Sequence, residues 1–311
     1  MLDLGCGPGW SLPELPTPQI ALDVTGAFID RVAGYAPDAL RVQADLEHLP
    51  FRRGAIGAAW ASRSLIHVPR SSLPLALWDL HRSLRVGGPI HLTLLTGDTD
   101  FSELADDEFG GRRFARWPAA LLGVVLEGAG FGDVVISEPD QLLIATARRR
   151  RTLADTVGGD MSLLCVGLNP SPYAADVGVG FGRPGNRFWP AALEAGIVTA
   201  DRDPIDALRR HGVGMTDVVK RATPRADEIT KIEFEHGIER LDALCGWLQP
   251  RAVCIVGLSG WRAAVDRKAV VGPQERRLGG CPTFVMHNPS GLNAHVTVAD
   301  LAEQLRSAAA P

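Results

Sequence analysis

Two turns of the same composition stand far apart in this chain: Asn169-Pro170-Ser171 and Asn288-Pro289-Ser290. Each follows a short apolar run, Leu163 to Gly167 before the first and a run through Val285-Met286 before the second. A lone turn of this kind is usually only a turn. Here the first one opens a long stretch of glycine, proline and small residues that ends in Asn186-Arg187-Phe188-Trp189. Loops of that length inside compact domains are uncommon and tend to be functional. An asparagine amide is no strong base at neutral pH, but its carbonyl can orient a water molecule. Near the start, Asp3-Leu4-Gly5-Cys6-Gly7-Pro8-Gly9 forms a glycine turn after a strand. Such glycines let the backbone approach a ligand closely, although their spacing is not the dinucleotide fingerprint. Asp23 closes the strand "IALDV" and suits a ribose diol, whose hydroxyls need acceptors. Asp45, in "VQADLEHLPF", stands at a third strand end.

Residues of this kind need strand ends to hold them. Both halves alternate strand-like apolar runs with helical patterns, which predicts two α/β domains with mainly parallel sheets. The boundary falls where "QLLIATA" gives way to "RRRRTLADTVGGD". Residues 1–147 form the first domain, 148–160 an Arg-rich linker, and 161–311 the second domain. In parallel α/β sheets the ligand crevice lies beyond the carboxyl ends of the strands. The two Asn-Pro-Ser turns are therefore expected to face each other across one cleft.

The totals narrow the class. A chain of 311 residues with 46% apolar and 22% charged content reads as a soluble globular protein. No apolar run reaches the length of a membrane span and no signal peptide opens the chain, so a cytoplasmic location is expected. Cys6, Cys165, Cys245, Cys254 and Cys281 are scattered, with no Cys-x-x-Cys pair, and read as reduced core residues rather than metal ligands. Residues 1–147 carry 11 Lys and Arg against 18 Asp and Glu, whereas 148–311 carry 21 against 18. The second half is the better candidate for a polyanionic partner. The run Arg148 to Arg151 fits either a solvated linker or a phosphate contact.

The order of motifs over residues 1–147 resembles the class I S-adenosylmethionine-dependent methyltransferases. The resemblance implies a Rossmann-like sheet. It implies that Gly5, Gly7 and Gly9 approach the methionine part of the cofactor, that Asp23 holds the ribose, and that Asp45 and Leu46 meet the adenine edge. Members of that family carry one or two helices ahead of the first strand, whereas here Met1 sits almost on the glycine turn. Either the true start lies upstream or the domain binds its cofactor poorly. Weak or absent binding is the expectation. No motif identifies a methyl acceptor.

In residues 161–311 the succession "GLNPS", "GVGFGRPGNRFW", "GVGMTDVVKRATPRADEI", "AVCIVGLSG" and "VMHNPSGLNAH" resembles the mismatch-specific uracil/thymine DNA glycosylases of the uracil-DNA glycosylase superfamily. The implied fold is three-layered α/β/α around a mainly parallel four-stranded sheet. The implied reaction is hydrolysis of the bond between a damaged or mismatched base and deoxyribose, with no cofactor. A base inside a duplex must be flipped out to be reached. The resemblance makes Asn169 the water-positioning residue and Phe181 the aromatic that stacks on the base. Asn288, with backbone N–H groups of the turns, would stabilise the departing anion. Leu292 would be the wedge that fills the gap in the stack. Ser290 and Gly291 would approach the DNA backbone or the widowed guanine. Phe188 and Trp189 read as core residues at a helix start.

The chain departs from the family at Ser171, where many relatives have glycine, and at Ala174, where some have a hydroxyl. It departs again at Asp217, where Lys or Asn is usual, and an acid there was expected to repel phosphate. In relatives with a catalytic histidine, that residue immediately precedes proline; here Asn288 holds the place and His287 stands one residue earlier. No Lys stands at either turn to attack the sugar, so lyase activity is not expected. The whole reads as a monofunctional glycosylase of base excision repair, acting on DNA with uracil or other mismatched or damaged bases, with an appended methyltransferase-like domain. Uracil, thymine, an etheno adduct and hypoxanthine all fit. The alternative is a methyltransferase whose second half serves as a nucleic-acid-binding module. No protein partner is read from the sequence.

Overall fold

The computed structural model describes every residue except 104–106, 108, 109, 292–294 and 311. The chain divides into two compact units, Met1–Arg150 and Arg151–Pro311.

The first unit is built on one mostly parallel sheet. Its strands are β1 (Leu2–Leu4), β2 (Ile20–Asp23), β3 (Leu40–Gln43), β4 (Ala59–Ser62), β5 (Pro89–Thr96), β6 (Arg116–Trp117), β7 (Phe131–Ser137) and β8 (Leu142–Arg149). Helices α1 (Gly26–Arg31), α2 (Leu73–Ser83) and α3 (Ala119–Gly128) connect them. The spatial order is β3-β2-β1-β4-β5-β8-β7, with β6 paired to β5. Strand β8 runs antiparallel to both neighbours. The chain moves outward from β1 to β2 and β3, then returns to β4 on the other side. That reversal is the switch point where open α/β sheets bind ligands, and the glycine turn lies directly on it.

The second unit has β9 (Leu163–Gly167), β10 (Val213–Asp217), β11 (Val253–Val256), β12 (Gly272–Leu278) and β13 (Cys281–Met286). Its helices are α4 (Pro172–Val177), α5 (Phe188–Ala195), α6 (Pro204–His211), α7 (Lys231–Leu248), α8 (Leu258–Ala264) and α9 (Val298–Ala309). The order β10-β9-β11-β13-β12 contains the expected four parallel strands. An antiparallel edge strand, β12, is added through a hairpin with β13. The hairpin turns at Gly279-Gly280, both at positive φ, as the two-residue turns that match strand twist require. Every residue of β9 and β10 is buried, as in parallel strands covered on both faces. Phe188, Trp189, Ala191 and Ala192 of α5 pack with Leu301, Ala302 and Leu305 of α9 in the core on Leu163 and Cys165. Capping boxes start α7 at Thr230 and Glu233 and α9 at Thr297 and Asp300. All five cysteines are buried and unpaired.

The stretch expected to be an Arg-rich linker, 148–160, does not lie free. Arg148 and Arg149 are the last residues of β8, and residues 152–157 are buried. Thr156 bridges to Met215 of β10, and Asp155 is drawn inside by two cations of the second unit. Charge along the sequence suggested solvation; the pairing partners lie too far along the chain to show.

Candidate active site

In the second unit, β9 delivers Asn169 two residues past its end. The Asn169 Nδ2 donates to Thr223 Oγ1 at 2.7 Å, to the Arg221 carbonyl at 3.1 Å and to the Pro170 carbonyl at 3.3 Å. Thr223 spends its own O–H on the Arg225 carbonyl at 2.6 Å, so it can only accept from Asn169. With three acceptors on one side, the amide orientation is chemically fixed. The Oδ1 faces away, and no described group donates to it. The next residue but one, Ser171, caps α4 through its Oγ, which accepts from the Ala174 N–H at 3.1 Å.

Phe181 sits at φ 55°, a backbone region that is a real outlier for a bulky side chain and that clusters at functional sites. Its ring stacks on Phe188 with centroids 4.2 Å apart. Trp189 anchors the same loop by donating its Nε1–H to the Gly180 carbonyl at 2.8 Å. The loop is therefore held from beneath by the helix start that follows it. Gly167 explains why β9 must end in glycine. A Cβ there would lie 2.4 Å from Asp217 Oδ1 and 3.4 Å from Phe181 Cζ.

Gly257, just past β11, lies between Leu168 and the second turn. A Cβ on Gly257 would lie 3.0 Å from Leu168 Cδ1 and 3.9 Å from Asn288 Nδ2. Asn288 Oδ1 accepts from the Ser290 N–H at 2.9 Å. Gly291 lies against the glycine-rich loop, since a Cβ there would be 2.9 Å from the Gly185 carbonyl. Arg187 ties loop and turn together. Its main-chain N–H donates to the Pro289 carbonyl at 3.0 Å, and its guanidinium donates to the carbonyls of Ser290 and Val296. Leu292 lies outside the described residues. His287 is held by Gln304 of α9 through its main-chain N–H and its Nδ1.

Beneath β10 lies a buried polar cluster. Lys220 Nζ donates to Asp155 Oδ1 at 2.6 Å, and Arg240 Nη1 to Asp155 Oδ2 at 3.0 Å. Thr216 Oγ1 also donates to Asp155, at 2.6 Å. Burial pushes the Asp155 carboxyl up, but Lys220, Arg240 and these hydrogen bonds outweigh it and hold it below its ordinary value. Asp217 is buried beside them, not in a position to meet phosphate.

In the first unit, Gly5, Gly7 and Gly9 all have positive φ, at 73°, 53° and 101°. Gly5 is doubly constrained, because a Cβ would lie 2.3 Å from that of Ser64. Asp23 organises the turn. Its Oδ2 accepts from the Gly7 N–H at 2.9 Å and its Oδ1 from the Thr25 N–H at 2.8 Å. Asp45 Oδ1 accepts from the Glu47 N–H at 2.9 Å. Leu46 approaches the turn, 3.6 Å from a Cβ placed on Gly5. Asp3, inside β1, is buried with an Oδ2 that meets no donor. Burial, with Asp23 nearby, pushes its carboxyl up to about 7.

A family model described as the uracil DNA glycosylase superfamily matches residues 155–308. A second, described as a methyltransferase domain, matches residues 2–92. The chain joins a methyltransferase domain to a uracil DNA glycosylase superfamily domain. Among solved structures, this chain is similar to an S-adenosylmethionine-dependent methyltransferase from Mesorhizobium loti, at 18% identity and TM-score 0.40, over 48% of this chain and 89% of that one. It is also similar to the protein of the DhpI-SAH complex, at 23% identity and TM-score 0.40, over 48% of this chain and 76% of that one. A third similar structure is described as a possible exported protein from Bordetella parapertussis, at 17% identity and TM-score 0.40. That match covers 48% of this chain and 61% of the other, less than two thirds of its length.

Two residues of the glycosylase domain stand differently from what the motifs imply. Asp217, the acid expected to repel phosphate, is buried. It shares the walls of a small cavity with Phe181, Gly180 and Thr216. Arg187 had no assigned part, yet it bridges the carbonyls of both flanks of 292–294. Its place inside "NRFW", next to two core aromatics, was the available signal. Among the described residues, no helix is long and apolar enough to cross a membrane, and no cluster of His, Cys, Asp or Glu could hold a metal ion.

Proposed function

We propose that the glycosylase domain hydrolyses the N-glycosidic bond of uracil, or of a related mismatched or damaged base, in DNA, as a monofunctional enzyme of base excision repair. The observation that carries this reading is the fixed amide of Asn169. Its N–H₂ is consumed by three acceptors, so the carbonyl is the end left to take a hydrogen bond from water. Phe181 lies two residues of strand away, above Gly167, where a flat ring can stack. Stacking of a base on an aromatic is worth roughly 1–3 kcal/mol. The water oxygen adds to the sugar carbon as the base leaves with the bonding pair, and N–H groups of the two turns, with Asn288, face the anion. Ser290 and Gly291 would approach the DNA, and Leu292 would be the wedge in the duplex.

In the methyltransferase domain, the residues present fit S-adenosylmethionine. The cofactor supplies an electrophilic methyl group on a sulfonium. Gly5, Gly7 and Gly9 would hold it by close backbone approach. Asp23 has given each carboxylate oxygen only one N–H, which leaves lone pairs for the ribose hydroxyls. Asp45 and Leu46 would meet the adenine. The unpartnered Asp3 is the kind of buried acid that a cationic ligand relieves.

Single-turnover kinetics on a duplex with uracil opposite guanine test the glycosylase reading. Asn169→Ala is expected to bind the lesion but release base about 10²–10³-fold more slowly, by analogy with losing one oxyanion donor. Asn169→Asp keeps the oxygen and is expected to retain much more activity. If Asn169→Ala releases base at the wild-type rate, Asn169 is only a turn residue.

A further inference from the structure

Arg187 stands just ahead of α5, next to the fully buried rings of Phe188 and Trp189. On its other side Asn186 Oδ1 accepts the Phe188 N–H at 2.9 Å. The core therefore fixes where the Arg187 backbone sits. From that place it holds the turn after β13 by three hydrogen bonds. Its main-chain N–H donates to the Pro289 carbonyl at 3.0 Å, its Nη2 to the Ser290 carbonyl at 2.8 Å, and its Nη1 to the Val296 carbonyl. Asn288 Oδ1 accepts the Ser290 N–H. These polar groups of the turn are thus spent within the protein. Gly291 differs: it is exposed, and its N–H meets no acceptor among the described residues. Arginine suits the task. Its planar fork reaches two carbonyls at once, whereas the ammonium of lysine is a point charge on a flexible stem.

Resting on the glycosylase reading above, we propose that Arg187 is a positioning residue that sets Ser290 and Gly291 against duplex DNA. It acts on the DNA only through that turn. Phe181 and Gly185 belong to the loop after β9, whereas Pro289, Ser290 and Gly291 follow β13. The fork of Arg187 joins the two, and Gly291 packs so closely on the Gly185 carbonyl that a Cβ there would lie 2.9 Å from it. The loop that receives the base and the turn that meets the strand therefore keep one spacing. That spacing matters because the base has to leave the stack and reach the pocket while its backbone is held. A misplacement of about 1 Å can cost on the order of 10²-fold in rate. The group offered to a DNA phosphate is the Gly291 N–H, since backbone N–H groups position a strand without reading its sequence. The guanidinium itself stays on the two carbonyls.

The test uses the full chain and a duplex that carries uracil opposite guanine, with 2-aminopurine beside the uracil to brighten when stacking is lost. Arg187→Lys keeps the charge and loses the fork. Arg187→Met keeps the length and loses both. Each retains the main-chain bond to Pro289. Both variants are expected to release base at least about tenfold more slowly than wild type with enzyme in excess, and the fluorescence rise should shrink along with the rate. The slope of log affinity against log salt should stay that of wild type in Arg187→Met, because a lost phosphate contact alone lowers it by about 0.9. A wild-type rate in Arg187→Lys shows that charge rather than the fork is what counts, and overturns the proposal. A slower rate with an undiminished fluorescence rise overturns it too, because Arg187 then serves the pocket and not the turn. So does a slope lowered by a full contact, which makes Arg187 itself the phosphate ligand. All three leave the glycosylase reading standing. If wild type releases uracil from no duplex, the glycosylase reading sinks, and the role of Arg187 with it.

Discussion

Asp3 in the first unit and Asp155 in the second are both buried acids, and their neighbours leave their carboxyls shifted in opposite directions. Asp155 is gripped by Lys220 and Arg240 and by the Thr216 hydroxyl, and it stays ionised below its ordinary range. Asp3 has no cation beside it; its charged neighbour is another acid, Asp23, and one of its oxygens is orphaned. The glycosylase domain therefore carries its own counter-charges, while the methyltransferase domain holds an acid that lacks one. A self-neutralised cluster does structural work without a ligand. An acid left short of a cation is suited to a ligand that brings it.

The largest test of this contrast removes a counter-charge. Arg240→Leu leaves Asp155 buried with Lys220 alone and strips donors from Thr216 and the Asp217 carbonyl. Breaking a buried ion pair by removing one partner costs about 3–5 kcal/mol. Hydrogen exchange should report that loss at β9, β10 and β11, with amides of β1, β2 and β4 unchanged. Equal loss in both units would show that the cluster is not local to the second.

Asp217 sharpens the comparison, because it lies in the cation-rich unit yet behaves like Asp3. Its folded-state value is raised above the ordinary one, so the folded protein holds the proton more tightly than the unfolded chain. The stability this contributes is present at low pH and is lost as pH rises from about 4 to about 6. Asp155 has the opposite sign: its contribution is present above its ordinary value and is lost as pH falls through the lowered one. Asp217→Asn should therefore stabilise the second unit at pH 8 by on the order of 1–3 kcal/mol and change little near pH 4. Denaturant unfolding at the two pH values measures the difference. A variant that is less stable at both would mean that the carboxylate is needed in its charged form.

The chain's architecture is written in local patterns, and its electrostatics are not. The run Leu163 to Gly167, broken by Asn169-Pro170, marks a buried strand and its turn, and the structure places β9 there. A helix start was read at Phe188 and Trp189; α5 begins at Phe188, with Asn186 Oδ1 accepting its N–H at 2.9 Å. Strand β12, "GPQERRL", is half exposed and polar, so it lacks the apolar run that identified its neighbours; the Gly279-Gly280 turn was its best signal. Asp155 could not be read at all. Its partners Lys220 and Arg240 lie 65 and 85 residues away, and only the fold brings them within a hydrogen bond. For the same reason the burial of Asp217 cannot be read until β9 and β10 are laid side by side at Gly167 and Asp217.

The smallest expected effect concerns Asp3 and is read as a slope. Below about pH 7 its carboxyl is neutral, held so by burial and by Asp23. A sulfonium or ammonium placed at the glycine turn favours the ionised form, so binding a cation there expels a proton. Affinity for S-adenosylmethionine should then rise with pH up to about 7, by at most about tenfold per pH unit, and level off above it. Asp3→Asn cannot ionise. Calorimetry across that range should find its affinity flat, near the low-pH value of wild type. S-adenosylhomocysteine, which lacks the sulfonium charge, should show a shallower slope than S-adenosylmethionine in wild type, and no slope in the variant. The weak binding expected from the sequence would follow at neutral pH, where much of Asp3 is still protonated. An Asp3→Asn profile that rises as steeply as wild type would show that the titrating group lies elsewhere, and Asp23, which orders Gly7 and Thr25, would be the next residue to change.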